Sequence, residues 1–241
     1  MSEVFLRAFH ATHAGKMSKA FVRGGSYDRL AALLPASARV LDLGCGDGAL
    51  LERLGPQAVG IDLSRDELVL ARGRVAQARA QELPIADGSI DICTCHLAFM
   101  LFDEPERVVA ELARVLAPGG EFVAVLGGGP VASGEPDAFH RFLTILDRAP
   151  RAAPRFGDPR TRNDVGWREL FAGWRIAPFE RWELDLGGSF DDVWSFLSAS
   201  YELASDAEQA VRDELYRAVG QQTACRVVVF LARAVKKARS G

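Results

Sequence analysis

Apolar runs separated by amphipathic stretches are the main pattern of this sequence. Continuous apolar runs are typical of strands that are buried on both faces, as in a parallel sheet. Apolar residues three and four apart, as in the segment 106–116, predict helices that cover such a sheet. The pattern therefore predicts an α/β fold with seven strands, at 40–43, 58–62, 75–80, 91–96, 121–126, 180–186 and 225–232.

Residues 39–50, RVLDLGCGDGAL, join the first strand to the segment that follows it. The glycines at 44, 46 and 48 can adopt positive φ and let a ligand approach the backbone closely. Residues 49–54 have an amphipathic pattern that ends at Gly55-Pro56, so a helix is predicted there. A strand, a glycine turn and a helix in this order place a ligand at the carboxyl end of the strand.

Acidic residues around this turn indicate which ligand it binds. Asp62 ends the second strand, where a carboxylate accepts hydrogen bonds from ribose hydroxyls. That arrangement serves NAD and S-adenosylmethionine (SAM) alike. Asp42 inside the first strand favours SAM, and so does Asp47 inside the turn, because a carboxylate there repels a pyrophosphate but tolerates a sulfonium cation. A tight turn with no ligand is the alternative.

The sequence LDLGCGDG resembles the first motif of class I SAM-dependent methyltransferases. Three further matches follow in the order of that family: VGIDLS at 59–64, AQELPIADGSIDI at 80–92 and LARVLAPGGEFVAVL at 112–126. The resemblance implies a Rossmann-like, mostly parallel sheet of seven strands with helices on both faces. It also implies that SAM lies over the carboxyl ends of the first strands and leaves as S-adenosylhomocysteine (SAH).

The same resemblance assigns the cofactor site. In the family, an acid at the end of the third strand accepts from the adenine amine, but here Arg79 has that position and offers only donors. Ala80 and Gln81 are therefore expected at the adenine edge. The alternative is an exposed Gln81 and adenine held by apolar contact alone. The predicted SAM contacts are Tyr27, Asp42, Gly44, Cys45, Gly46, Gly48, Asp62, Leu63, Ala80, Gln81 and His96.

His96 is the candidate catalytic residue, because it ends the fourth strand, whose carboxyl end faces the transferred methyl in this fold. The unperturbed pKa of histidine, about 6.5, suits a general base at neutral pH. A structural histidine is the alternative, because many methyltransferases need no protein base. Tyr27 is expected either near the methionine end of SAM or packed on the sheet.

The chain is predicted to be a single domain over residues 1–241. Residues 1–35 form a helical lid and 36–127 the SAM-binding core, while 128–163 and 187–224 are helical insertions before and after the sixth strand that cap the substrate. The aromatic residues of these insertions favour a small, partly apolar substrate, since pockets for such molecules are mostly apolar. The predicted substrate contacts are His10, His13, Phe99, His140 and Trp194.

Charge and composition limit the partners. A net charge of −3 in 241 residues gives no attraction to nucleic acid or to anionic membranes. No apolar stretch reaches the roughly 18 residues of a membrane span, and four cysteines are interpreted as buried residues in a reducing compartment. A cytoplasmic protein is expected. No metal site is predicted, because His10 and His13 lack two further zinc ligands.

The predicted function is methyl transfer to an oxygen or nitrogen atom, less favourably a carbon, of a small metabolite such as those of secondary metabolism. The alternative is a methyltransferase fold that binds SAM without transferring the methyl, as a cyclase or an interaction module. Methylation of RNA or protein is disfavoured. The sequence has no basic face and no Asn-Pro-Pro-Tyr-like segment after the fourth strand. The oligomeric state stays open.

Overall fold

The computed structural model describes residues 2–132, 134–148, 157–200, 203 and 207–237. The strands in these ranges are β1 Val40–Leu43, β2 Val59–Asp62, β3 Arg74–Gln77, β4 Ile90–His96, β5 Leu116–Pro130, β6 Arg175–Ile176, β7 Glu180–Asp185, β8 Gly188–Ser189, β9 Gln222–Thr223 and β10 Arg226–Val235. Eight of them form one sheet in the order β3-β2-β1-β4-β5-β10-β6, with β7 also paired to β10. β8 and β9 form a separate pair.

The pairing directions confirm a mostly parallel α/β sheet. β1 pairs in parallel with β2 and β4, β2 with β3, and β4 with β5. β10 is antiparallel to β5, β6 and β7. Because β2 and β4 lie on opposite sides of β1, the chain reverses its direction across the sheet there. In open α/β sheets the crevice at such a switch point is where ligands bind.

The sheet has eight strands where seven were predicted, because two short strands, β6 and β7, share the place beside β10. β6 pairs with β10 at Ala234 and Val235, and β7 pairs with the same side of β10 at residues 226–231. Pro178 lies between β6 and β7 and has no backbone N–H to donate, so the ladder is interrupted there.

Helices cover both faces of the sheet, as expected. The helices are α1 Ser2–His13, α2 Lys16–Arg23, α3 Ser26–Ala31, α4 Arg65–Leu68, α5 Pro105–Val115, α6 Ala138–Leu146, α7 Asp164–Leu170, α8 Phe190–Ser200 and α9 Glu208–Val219. α5 and α7 contribute to the core on one face, and α2, α6, α8 and α9 to the core on the other. Along β5, Val123 and Val125 join the second core whereas Phe122 and Ala124 join the first.

Two predicted elements are shorter than expected. Residues 49–54 form only a 3₁₀ turn at Leu51–Arg53, because the positive φ of Gly48 and the Gly55-Pro56 pair leave too few residues for a stable helix. β3 ends at Gln77 rather than at residue 80. Arg79, Ala80 and Gln81 therefore lie in the loop beyond the strand, at its carboxyl end.

The remaining expectations from composition concern cysteines and membranes. All four cysteines are buried and free of disulfides. No helix in the described ranges is both long and apolar enough to cross a membrane.

Candidate functional site

The glycine turn after β1 is held tightly against β2. The backbone N–H groups of Gly44 and Cys45 both donate to the carbonyl oxygen of Ile61, at 2.7 and 3.1 Å. Gly44 has a φ of +73°, which L side chains rarely adopt. A Cβ at Gly44 would lie 2.5 Å from the Cβ of Ala98. The turn therefore needs glycine for both its conformation and its space.

Asp62 connects this turn to the end of β2. Its Oδ2 accepts from Gly46 N–H at 2.8 Å, and its Oδ1 accepts from Ser64 N–H at 2.8 Å. Burial raises the pKa of Asp62, and these two backbone hydrogen bonds oppose the rise. A carboxylate oxygen can accept a second bond, so both oxygens of Asp62 can still receive ribose hydroxyls.

A cleft that is partly open to solvent lies over the carboxyl ends of β1 and β2. Five of the predicted cofactor residues line it: Gly44, Asp62, Leu63, Ala80 and Gln81. Gln81 is buried and its side-chain amide nitrogen donates to the carbonyl of Asp103 at 2.6 Å, so the alternative of an exposed Gln81 does not hold. The structure thus gathers these residues from three separate segments into one cavity.

One face of α1 forms the outer wall of this cleft. Glu3, Leu6, Arg7 and His10 all line it. Of these, only His10 was predicted as a site residue, and it was assigned to the substrate rather than to the cofactor cleft. The spacing of three and four residues could have indicated that these side chains share one face. Nothing in the local sequence identifies what that face contacts.

Four polar contacts fix the N-terminal segment to the core motifs. Glu67 lies next to two lid groups, with its Oε1 2.8 Å from His10 Nδ1 and its Oε2 accepting from Gly15 N–H at 3.1 Å. Asp47 accepts from Ser18 Oγ at 2.5 Å. Arg79 pairs with Glu3. These contacts hold the N-terminal segment beside the cleft, and its role as a lid stays a prediction.

Asp42 lies beneath the turn and not in the cleft wall. It is 2% exposed, and its Oδ1 accepts from Thr94 Oγ1 at 3.0 Å. Burial raises the pKa of Asp42 and the hydrogen bond from Thr94 partly opposes this rise, so that the pKa is about 7. Cys45, Gly46 and Gly48 also lie in the turn outside the cleft lining.

Replacing Asp42 by asparagine should remove a pH dependence of stability. Between pH 5 and pH 7 the folded protein keeps a proton on Asp42 that the unfolded chain, with a pKa of 3.8, has already lost. The unfolding free energy of the wild type therefore falls relative to that of Asp42→Asn as pH rises, by about 2 kcal/mol. Chemical denaturation of both proteins at the two pH values measures this. A difference that does not change with pH would contradict the assignment.

His96 ends β4 under the lid, outside the cleft lining. Its Nε2 lies 2.9 Å from Ser26 Oγ, and the ring of Tyr27 stacks on its ring with centroids 4.2 Å apart. Phe21 covers its edge. Burial lowers the pKa of His96 to about 3, so the ring is neutral at physiological pH. The general-base role stays a prediction, as does the placement of Tyr27 near the methionine end of SAM.

The other predicted substrate residues do not meet at the cleft. Phe99 is completely buried against Phe122 and Trp167, so it presents no surface to a substrate in this structure. His13 stacks on Phe9, at the end of α1. His140 Nδ1 lies 2.9 Å from Asp137 Oδ1, and Trp194 belongs to the core of the second face. Their roles as substrate contacts stay predictions.

The lining of the cleft matches the chemistry of an adenosyl group. A Cβ-free backbone at Gly44 forms one wall, Asp62 offers acceptors for two hydroxyls, and Ile61, Leu63 and Ala80 give an apolar surface for a base. The described residues contain no group of three or more side chains suited to hold a metal ion.

Comparison with known proteins places the same segment in one family. A family model described as a methyltransferase domain matches residues 41–124. The malonyl-[acyl-carrier protein] O-methyltransferase of Pectobacterium atrosepticum is 39% identical over 105 residues, which are 39% of this chain and 42% of that protein. The phosphatidylethanolamine N-methyltransferase of Cereibacter sphaeroides is 32% identical over 159 residues, which are 61% of this chain and 70% of that protein.

A solved structure has the same fold. The YcgJ protein of Bacillus subtilis superposes with a TM-score of 0.60 at 21% identity, covering 88% of this chain and 98% of that one. The matched segment spans less than half of the Pectobacterium relative and about two thirds of the Cereibacter one. The similarity therefore extends over the whole fold in structure, while in sequence it is concentrated around the cofactor cleft.

Proposed function

Since this chain belongs to the class I SAM-dependent methyltransferases, we propose that it transfers a methyl group from SAM to an oxygen or nitrogen atom of a small, partly apolar molecule. The supporting observation is the cleft in which the Gly44 turn, Asp62 and Ala80 meet under α1. An acceptor on oxygen or nitrogen is favoured over carbon, because one relative is named as an O-methyltransferase and another as an N-methyltransferase.

In this proposal the residues of the cleft mainly bind SAM and orient it toward the acceptor. When bound, SAM supplies a methyl group on a sulfonium that is already activated for in-line displacement. Asp62 holds the sugar, and the Gly44 turn lets the cofactor lie close to the backbone. Positioning the reacting atoms about 3–3.5 Å apart can supply a large part of the rate enhancement in such a reaction. The α1 helix, which lines the cleft, would limit the access of water to the same space.

His96 orients the acceptor in this proposal. Its neutral ring can accept or donate a hydrogen bond, but a pKa of about 3 makes it a weak proton acceptor. The Nε2 atom of His96 already contacts the hydroxyl of Ser26 at 2.9 Å, so an acceptor would have to displace that hydroxyl to reach it. The aromatic rings of Phe21 and Tyr27 around it favour a partly apolar acceptor.

Titration calorimetry tests the cofactor assignment. We expect SAM and SAH to bind with one site per chain and NAD to give no signal, because Asp47 lies in the turn that a pyrophosphate would approach. Binding of NAD with no binding of SAM or SAH would overturn the proposal.

The acceptor is identified by mass spectrometry of molecules that copurify with the chain. Each candidate is then tested for formation of SAH, with His96→Ala alongside the wild type. A protein that binds SAM but forms no SAH with any copurified molecule would favour the alternative, a SAM-binding fold without methyl transfer.

A further inference from the structure

The end of the cleft next to β3 combines an arginine with an acid from the lid. Arg79 follows β3 and can only donate hydrogen bonds. Its Nε donates to Glu3 Oε1 at 2.7 Å, and its Nη2 lies 2.6 Å from the same oxygen. Both residues line the cleft, together with Ala80 and Gln81. A carboxylate is therefore present at this end of the cleft, although it comes from residue 3.

We propose that Glu3 accepts a hydrogen bond from the exocyclic amine of adenine, with Arg79 as the residue that positions it. This rests on the proposed function, because it assumes that the adenosyl group of SAM occupies the cleft. Glu3 is then a specificity-determining residue that distinguishes adenine from purines with a carbonyl at the same position.

The geometry of the ion pair leaves one oxygen for this task. Both contacts from Arg79 go to Oε1 of Glu3, and Oε2 makes none of the hydrogen bonds found among the described residues. Hydrogen bonds to a charged acceptor are about twice as strong as hydrogen bonds between neutral groups. The Glu3 side chain is 29% exposed, so a base entering the cleft would cover it.

The neighbouring groups complete a site for the base. The amide nitrogen of Gln81 is bound to the Asp103 carbonyl at 2.6 Å, which fixes the orientation of that side chain and leaves its Oε1 as an acceptor. Leu63 and Ala80 supply the apolar faces. Because Glu3 belongs to α1, this contact would join the base to the N-terminal helix that lines the cleft.

The test compares two ligands that differ at one position of the base. SAH has the exocyclic amine, whereas S-inosylhomocysteine has a carbonyl oxygen there, which the carboxylate repels. By calorimetry we expect the wild type to prefer SAH by about 10- to 100-fold, which corresponds to one hydrogen bond to a charged group. In Glu3→Ala the preference should fall to about threefold or less, mainly through weaker binding of SAH.

Two further variants separate recognition from a structural role. Glu82→Ala removes a nearby acid that pairs with Arg107 outside the cleft, and it should keep the wild-type preference. Arg79→Met leaves the Glu3 carboxylate in place but removes the ion pair that positions it. We expect its preference for SAH over S-inosylhomocysteine to lie between those of the wild type and Glu3→Ala. The three variants are compared by thermal melting to establish that they fold.

The outcomes are distinct. An unchanged preference in Glu3→Ala overturns the inference, and so does an equal loss of affinity for both ligands, which is what a purely structural ion pair predicts. If the wild type binds neither SAH nor SAM, the proposed function fails instead.

Discussion

Replacing Asp62 by alanine should weaken the binding of SAH by about 100-fold or more. Asp62 offers one free acceptor site on each oxygen toward the cleft, and each hydrogen bond to a charged group contributes about 1.5–3 kcal/mol. Loss of the hydrogen bonds to two ribose hydroxyls would therefore weaken binding by about 3–6 kcal/mol, which raises the dissociation constant of SAH by a factor of at least about 100. Titration calorimetry with SAH measures the change.

The same substitution also removes acceptors from the turn, so affinity must be separated from folding. Gly46 N–H and Ser64 N–H both donate to Asp62 in the wild type. Chemical denaturation therefore accompanies the calorimetry. Asp66→Ala is the matched control, because Asp66 is an exposed acid four residues away on α4. A folded Asp62→Ala variant whose affinity for SAH stays within threefold of the wild type would contradict the assignment.

The sheet could be predicted because its signals are local. β1 and β4 are buried along almost their whole length and contain several apolar residues each, and the glycines after β1 identify the turn without any tertiary information. Asp62 was found for the same reason: it directly follows an apolar run, and parallel strands end at a common edge. The length of β3 was overestimated, since apolar character continues past Gln77 while the pairing with β2 stops there.

The lid contacts could not be predicted, because they join residues far apart in the sequence. In the sequence, Ser64 and Glu67 have the spacing of a capping box, which predicts only a local role for both residues. Ser64 does cap α4, with its hydroxyl accepting from Glu67 N–H at 3.3 Å. The Glu67 carboxylate, however, contacts His10 and Gly15 of the lid, while Asp62 takes the Ser64 N–H. Local pattern thus assigned the cap correctly and missed the tertiary role of the acid.

Phe99 illustrates a different limit, which is the direction of a side chain after a strand ends. The sequence places it just beyond β4, close to the reacting groups. Leu97 adopts a φ of +59° and residues Phe99–Leu101 form a 3₁₀ turn, so the chain bends sharply there. The ring is thereby turned into the core beside Phe122 and Trp167. Neither the positive φ of a leucine nor this turn has a sequence signal.

Replacing Gly44 by alanine should both destabilise the protein and abolish SAH binding. The φ of +73° costs an L residue about 1–2 kcal/mol. The new Cβ would also lie 2.5 Å from the Cβ of Ala98, and overpacking of this kind costs about 1–3 kcal/mol. We therefore expect an unfolding free energy lower by about 2–5 kcal/mol. Because Gly44 also lines the cleft, the shifted turn would no longer admit the cofactor.

Two variants divide this effect into its parts. Gly88 has a φ of +61° but nothing within 4 Å of an added Cβ, so Gly88→Ala should lose only the conformational part and bind SAH normally. Adding Ala98→Gly to Gly44→Ala removes the atom that the new Cβ meets. This double variant should recover the unfolding free energy that Gly44→Ala loses through overpacking. If Gly44→Ala matches Gly88→Ala in both stability and SAH affinity, the turn is looser than its hydrogen bonds to Ile61 indicate. A close approach of the cofactor to the backbone at Gly44 would then be unnecessary for binding.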